Sequence, residues 1–388
     1  MKKEIYLDNS ATTPLSDAAK AKMTEAMEIY GNPSSLHSAG QSAEKLISAA
    51  RGQILACLGV RKREDTLVFT SCGTEATSLA IFGTAFAKKR REASRILITD
   101  SEHPSVTRAA EALSEYGFEI VKLPTREGVL DMKALDEAIQ KPIFMASFML
   151  VNNETGARYA VEEAFLKIKE RYPEAVTHCD AVQGFMKIPF TPASLGADLL
   201  TVSGHKLHAP KGVGALYISG DMIKKKKIVP VLLGGGQESG WRSGTENTIG
   251  IAAFGAAADD IRTRRAEITD RMAELYSYAE EKLTALGIRI NKPRGDRVSH
   301  IINITVPNIK SETMLHFLSA DGIFVSSGSA CSSHSHKASS TLVAFGLSEA
   351  EADCSLRISF SEYNTKSDVD ALTASLESAI SRLVRIKR

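Results

Sequence analysis

Tryptophan is nearly absent from this chain, with one residue in 388, aromatic residues make up 6% and cysteines number five. The cysteines Cys57, Cys72, Cys179, Cys331 and Cys354 are odd in number, widely scattered and form no CxxC pair. That distribution argues against a disulfide framework and against a structural zinc site, so free thiols and no metal are expected. Neither sign of charge is in excess. A net charge of +2 gives no electrostatic reason to expect nucleic acid or a membrane as partner. The one basic cluster, Lys224 to Lys227 beside Met222 and Ile223, is short and reads as a solvated face. Long apolar runs are also missing: Pro142 to Val151 and Ile249 to Ala258 are too short to span a bilayer and read as core elements. The opening Met1 to Asp8 has no apolar stretch suited to a signal peptide, which makes a cytoplasmic protein the expectation. No internal repeat or low-complexity segment shows.

What is present is a globular composition, 43% hydrophobic and 24% charged, on a chain longer than single cores usually grow. Two domains are expected: a large one over residues 15–258, and a smaller C-terminal α+β one over 259–388 joined by residues 1–14. The change falls inside a long helical stretch from Thr248 to about Leu286, where alanine-rich sequence gives way to the charged Asp259 to Arg265. Upstream, short apolar runs such as Leu67 to Thr70, Ile96 to Thr99, Ile143 to Phe148 and Leu199 to Val202 alternate with helical stretches. Such alternation means βαβ units, an α/β fold with a mainly parallel sheet, and ligands bound outside the carboxyl ends of the strands.

The chemistry-bearing motifs sit at those ends. Ser71-Cys72-Gly73-Thr74 joins a strand to a helix expected from Glu75 to about Lys89, and a small-residue turn there offers backbone N–H groups and a positive dipole end to a phosphate. Ser101-Glu102-His103-Pro104, Asn152-Asn153-Glu154, Asp180-Ala181-Val182-Gln183 and Ser203-Gly204-His205-Lys206 end four further strands. Singly, each has an ordinary reading: Asp180 caps a turn, His103 only begins a helix, and Lys206 is solvated. Together they are the set that pyridoxal phosphate needs, a lysine for its aldehyde, a carboxylate for its ring nitrogen and a helix end for its phosphate.

Cys331 lies in Ser326-Ser327-Gly328-Ser329-Ala330-Cys331-Ser332-Ser333-His334-Ser335-His336, small polar residues that bury no apolar face and are expected to form a mobile loop. A thiol placed there reads as a nucleophile, against an incidental loop cysteine or a partial metal shell with His334 and His336. The other four cysteines read as structural. Arg357 is a charged residue within a strand pattern and suits a substrate carboxylate, although alternation would also point it outward.

These residues resemble the cysteine desulfurases, the NifS/IscS-like branch of the class V aminotransferase superfamily. The match runs from Tyr6-Leu7-Asp8-Asn9-Ser10-Ala11-Thr12-Thr13-Pro14, through Gly31-Asn32-Pro33-Ser34-Ser35-Leu36-His37, Ser203 to Lys206, Arg242-Ser243-Gly244-Thr245 and Ser326 to Cys331, to Tyr363-Asn364-Thr365. The resemblance implies a type I PLP-dependent transferase fold with a seven-stranded type of sheet, and conversion of L-cysteine to L-alanine. Lys206 would carry pyridoxal 5′-phosphate, Asp180 pair with the ring nitrogen, Gln183 bond the ring hydroxyl, and His103 stack on the ring and assist proton transfer. Gly73, Thr74, Ser203 and His205 would bind phosphate, with Thr245 doing so from the other subunit of a homodimer. Asn153 would serve cofactor and substrate, Asn32 and Arg357 the substrate carboxylate, and Cys331 would take the sulfur as a persulfide for a sulfur-acceptor protein, in iron-sulfur cluster assembly or another thio-cofactor or tRNA pathway. Selenocysteine lyase, class V transaminase and a non-enzymatic sulfur-relay scaffold are the competing readings. The chain departs from the family pattern at Cys72 in the phosphate turn and in the histidine-rich Ser333 to Lys337.

Overall fold

A computed structural model describes residues 4–87, 93–327 and 338–383. The strands, in chain order, are β1 (Ile5–Tyr6), β2 (Thr66–Thr70), β3 (Arg95–Thr99), β4 (Glu119–Leu123), β5 (Ile143–Met149), β6 (Val176–Asp180), β7 (Leu199–Ser203), β8 (Gly214–Ile218), β9 (Arg289–Ile290), β10 (Ile301–Thr305), β11 (Ile323–Phe324), β12 (Ser326–Ser327) and β13 (Ser355–Ser359). β2 to β8 form one seven-stranded sheet in the order β2-β8-β7-β6-β5-β3-β4. Only β8 runs against its neighbours, being antiparallel to both β2 and β7. The carboxyl ends of β2, β3, β5, β6 and β7 therefore share one edge, where the strand-end motifs meet.

Helices cover both faces of this sheet, and the inner strands β5 to β8 are buried along almost their whole length, as continuous apolar runs require. One polar rung crosses the interior: His178 on β6 bonds Ser147 Oγ of β5 through Nδ1 (2.7 Å) and Thr201 Oγ1 of β7 through Nε2 (3.0 Å). Burial pushes its pKa down to about 3, so the ring is neutral and its two nitrogens are both satisfied.

A second, separate core is built on the antiparallel sheet β12-β13-β10-β9 and the parallel pair β1-β11. The helix Thr248–Ala285 serves both cores: its residues from Ile251 to Ile261 pack in the first, and those from Met272 to Leu283 in the second. After β1 the chain crosses from the second unit to the first. Asp8 bridges to Ser359, and Thr13 N donates to the His205 carbonyl at 3.0 Å, which lays Asn9 to Thr13 over the turn that follows β7. Among the described residues no helix is long and apolar enough to cross a membrane.

Two local expectations change. The helix after β2 starts two residues earlier, at Gly73, and ends at Phe86. Lys227 is not solvated: its side chain is buried and its Nζ bonds the carbonyl and the carboxylate of Glu174, both at 2.8 Å.

Candidate active site

Outside the shared strand edge lies a cleft of about 290 Å³, at the small end of the roughly 300–1,000 Å³ usual for ligand sites. Strand ends of the seven-stranded sheet supply most of its walls, and the second unit supplies the rest. The helix Gly73–Phe86 begins with no side-chain cap, so the N–H groups of its first turn face the cleft without the partner a Ser or Asp would supply. A Cβ on Gly73 would stand 3.2 Å from Val182 Cγ2 and 3.4 Å from Ser203 Cβ, so only glycine leaves that cradle open. Cys72 is accommodated because Gly214 faces it; a Cβ there would fall 2.5 Å from the Cys72 carbonyl carbon.

β7 ends at Ser203, whose buried Oγ has no hydrogen-bond partner among the described residues, and the turn Gly204–Lys206 then raises Lys206 into the cleft. Lys206 Nζ donates to the carbonyl oxygens of Ser10 (2.5 Å) and Ala11 (2.7 Å). Gln183 Nε2 donates to the same Ser10 oxygen at 2.9 Å, while Gln183 Oε1 and Ser10 Oγ are buried without partners among the described residues. His205 bonds Thr12 Oγ1 at 3.3 Å, and burial, with Lys206, Lys211 and Lys187 nearby, pushes its pKa down to about 4.

β6 delivers Asp180. One carboxylate oxygen accepts from Val182 N–H at 3.0 Å, and burial pushes the carboxyl up while His103 and Lys206 pull it down. His103 caps the helix Pro104–Ala112, its Nδ1 accepting from Ser105 N–H (3.1 Å) and meeting Ser105 Oγ (2.8 Å). The helix-starting role therefore holds the ring at the cleft wall, and burial lowers its pKa.

Arg357 on β13 reaches the cleft from the second unit, almost fully buried. Its Nη2 pairs with Asp8 Oδ1 at 2.7 Å and its Nη1 donates to the Asn153 carbonyl at 2.9 Å, while Nε has no partner among the described residues. Ser326 and Ser327 of β12 line the same wall, and Ser339 Oγ donates to Glu154 Oε2 at 2.6 Å. Both flanks of the segment 328–337 are thus at the cleft. Cys331, His334 and His336 lie outside the described residues.

Of the predicted site residues, Gly73, Thr74, His103, Asn153, Asp180, Gln183, Ser203, His205, Lys206 and Arg357 line one cleft. Asn32 and Thr245 do not. Asn32 is exposed, its Oδ1 accepting from Ser34 N–H at 2.9 Å in a local turn. Thr245 is exposed beside a separate small pocket with Phe69, Ser71 and Arg242. Sequence reasoning gave no role to Asp8, Ser10 and Ala11. The last two act through backbone carbonyls, which leave no trace in residue type.

This fold and cleft define an aminotransferase-like enzyme, and the chain belongs to the family described as aminotransferase class-V, whose model matches residues 5–372. Within it the chain is similar to proteins named for sulfur chemistry. The cysteine desulfurase IscS of Dictyoglomus turgidum is 38% identical over 391 residues, covering 99% of this chain and 96% of that protein. A solved NifS-like protein superposes with a TM-score of 0.90 at 33% identity, over 98% of this chain and all of the other. The solved structure of SspA in complex with cysteine gives a TM-score of 0.80 at 30% identity, over 94% and 100% of the two chains.

Proposed function

We propose that this chain is a cysteine desulfurase, binding pyridoxal 5′-phosphate in the strand-end cleft and converting L-cysteine to L-alanine with the sulfur left on Cys331 as a persulfide. The observation that carries the reading is the convergence of Lys206, Asp180, His103 and an uncapped helix end in one cleft flanked by both ends of the Cys331 segment. The cleft also fits the cofactor: Ser203 Oγ and the first-turn N–H groups of the helix Gly73–Phe86 suit its phosphate, and Gln183 suits its ring hydroxyl.

When bound, the cofactor supplies an electron sink for carbanion chemistry at the substrate Cα. Asp180, with one oxygen taken by Val182 N–H, would keep the other for the proton of the ring nitrogen. Lys206 Nζ, steered by the Ser10 and Ala11 carbonyls, would take the Cα proton and later return one. His103, neutral because it is buried, would relay protons at the cleft wall. Cys331 is four residues past Ser327, a span of at most about 14 Å, so its thiolate is within chain reach of the cleft. Its Sγ would attack the substrate sulfur; the Cβ–S bond breaks with its electron pair kept by carbon, which then takes a proton. Three of the described cysteines are poorer candidates: burial pushes Cys57 up to about 12 and Cys179 well above the usual thiol value, and Cys354 is buried.

The reading extends to a homodimer in which Thr245 serves the neighbouring subunit's cofactor, to Asn32 and Arg357 as binders of the substrate carboxylate, to delivery of the persulfide sulfur to an acceptor protein, and to the domain limits 15–258 and 259–388. Two separate cores are in keeping with that division, with Ile251 to Ile261 of the helix packing in the first and Met272 to Leu283 in the second. Substituting Lys206→Ala tests the cofactor assignment. The variant should lose the visible absorbance of the loaded enzyme and the borohydride-reducible link; a reducible link surviving elsewhere would refute it.

A further inference from the structure

Lys206 also borders a second cavity, about 230 Å³, lying where the two cores meet at the helix Thr248–Ala285. Lys187, seven residues after β6 ends at Asp180, lines this cavity. Its Nζ is closed to solvent and has no hydrogen-bond or ion-pair partner among the described residues. His300, 5% exposed, lines the same cavity with Nε2 likewise buried and unpartnered.

Two buried nitrogen donors without partners break the rule that interior lysines are paired and interior polar groups are bonded. The neighbouring charges do not repair this. Glu362, the one carboxylate in the wall, is already committed: Oε2 to His208 Nε2 at 3.0 Å, with Arg264 Nη2 at 3.6 Å from Oε1. Arg297 adds a further cation at the rim, lying over the Tyr276 ring. Burial and the nearby Lys206 push the Lys187 amine down to about 7 against the opposing pull of Glu362, and burial and Lys187 push His300 down as well. Among the described residues Asn9 Oδ1 and Glu362 Oε1 accept no hydrogen bond in the same cavity, although Arg264 is in ion-pair range of the latter, which calls for water beside them, while Lys187 Nζ and His300 Nε2 call for an acceptor.

We propose that this second cavity is an anion site, holding one small anion of the halide or carboxylate class between Lys187 Nζ and His300 Nε2. The site is separate from the strand-end cleft, and the inference does not rest on the function proposed for that cleft. It places a removable negative charge next to Lys206 from the side that substrate does not occupy.

The test uses crystals of the cofactor-loaded enzyme soaked in sodium bromide. An anomalous bromine peak within hydrogen-bond distance of both nitrogens, absent from Lys187→Met, is the expected result. A peak that persists in Lys187→Met means an adventitious ion only and overturns the proposal; no peak excludes the halide, and overturns the proposal when acetate also fails to raise the Tm of the wild type over that of Lys187→Met. In solution, separate bromide and acetate titrations should raise the Tm of the loaded wild type more than that of Lys187→Met. Bromide alone acting assigns the halide, acetate alone the carboxylate, and equal responses in wild type and variant overturn the site. Should Lys187→Met fail to fold, His300→Phe, which keeps buried volume while removing the donor, is compared in the same titrations.

Discussion

Glu102 stands one residue before His103 and is buried more deeply than any carboxylate at the cleft rim, 6% exposed. Thr99 Oγ1 (2.8 Å) and Met149 N–H (2.9 Å) both donate to Oε1, while Oε2 has no partner among the described residues, so the side chain ties the end of β3 to the end of β5 and behaves as a neutral acid. Burial, reinforced by nearby Asp180, pushes its pKa from 4.5 up to about 8. Between those values the folded state holds a proton that the unfolded chain has released, so this group's contribution is fully present below the unfolded value and is lost as pH rises, by about 1.4 kcal/mol per pH unit. Glu102→Gln removes that dependence. Urea unfolding from about pH 5 to about pH 8 should show the variant gaining roughly 2–4 kcal/mol on the wild type. Parallel stability curves would mean that Glu102 is ionised in the fold.

At the scale of elements, the glycine-rich stretch between β8 and the helix Thr248–Ala285 is held by two ion pairs. Glu238 receives Arg51 through Nη1 (2.9 Å) and Nη2 (2.8 Å) and also accepts from Phe69 N–H at 2.8 Å; Arg242 Nε pairs with Glu75 at 2.7 Å. Glu238 and Ser239 both take left-handed backbone conformations, φ 50° and 56°, which non-glycine residues adopt only when surroundings impose it. Glu238→Ala should cost about 3 kcal/mol, the low end for breaking a buried pair because Arg51 is a quarter exposed. Thermal unfolding of loaded enzyme checks this, and a change below about 1 kcal/mol would contradict it. The strand-end motifs of this layer were legible in the sequence because each combines an apolar run with a small polar turn, as at Leu199 to Lys206. The Glu238 clamp was not, since nothing in a glycine-rich loop marks which acid will find Arg51, 187 positions away.

Across the whole molecule, the segment Tyr6 to Pro14 links the two units, with Asp8 on Arg357 and the Ser10 and Ala11 carbonyls on Lys206. Its family motif was readable, but its work was not, because the Asp8–Arg357 pair spans 349 positions and the carbonyl contacts need no particular side chain. Arg357, proposed to hold the substrate carboxylate, is paired with Asp8, so Asp8→Asn should tighten binding of that carboxylate, read as a lower KM for L-cysteine; a raised KM with unchanged kcat would contradict that role for Arg357. The assembly is expected to be a dimer of the 41.9 kDa chain, and sedimentation of fully active enzyme as a monomer would remove the part given to Thr245. The central claim is that sulfur passes from L-cysteine to Cys331. It is tested by incubating cofactor-loaded wild type and Cys331→Ala with L-cysteine, then measuring alanine and the mass of the Cys331 peptide. The account predicts alanine and a peptide heavier by one sulfur atom in the wild type, and no alanine from a Cys331→Ala enzyme that keeps its cofactor absorbance. Undiminished alanine production by that variant would contradict it.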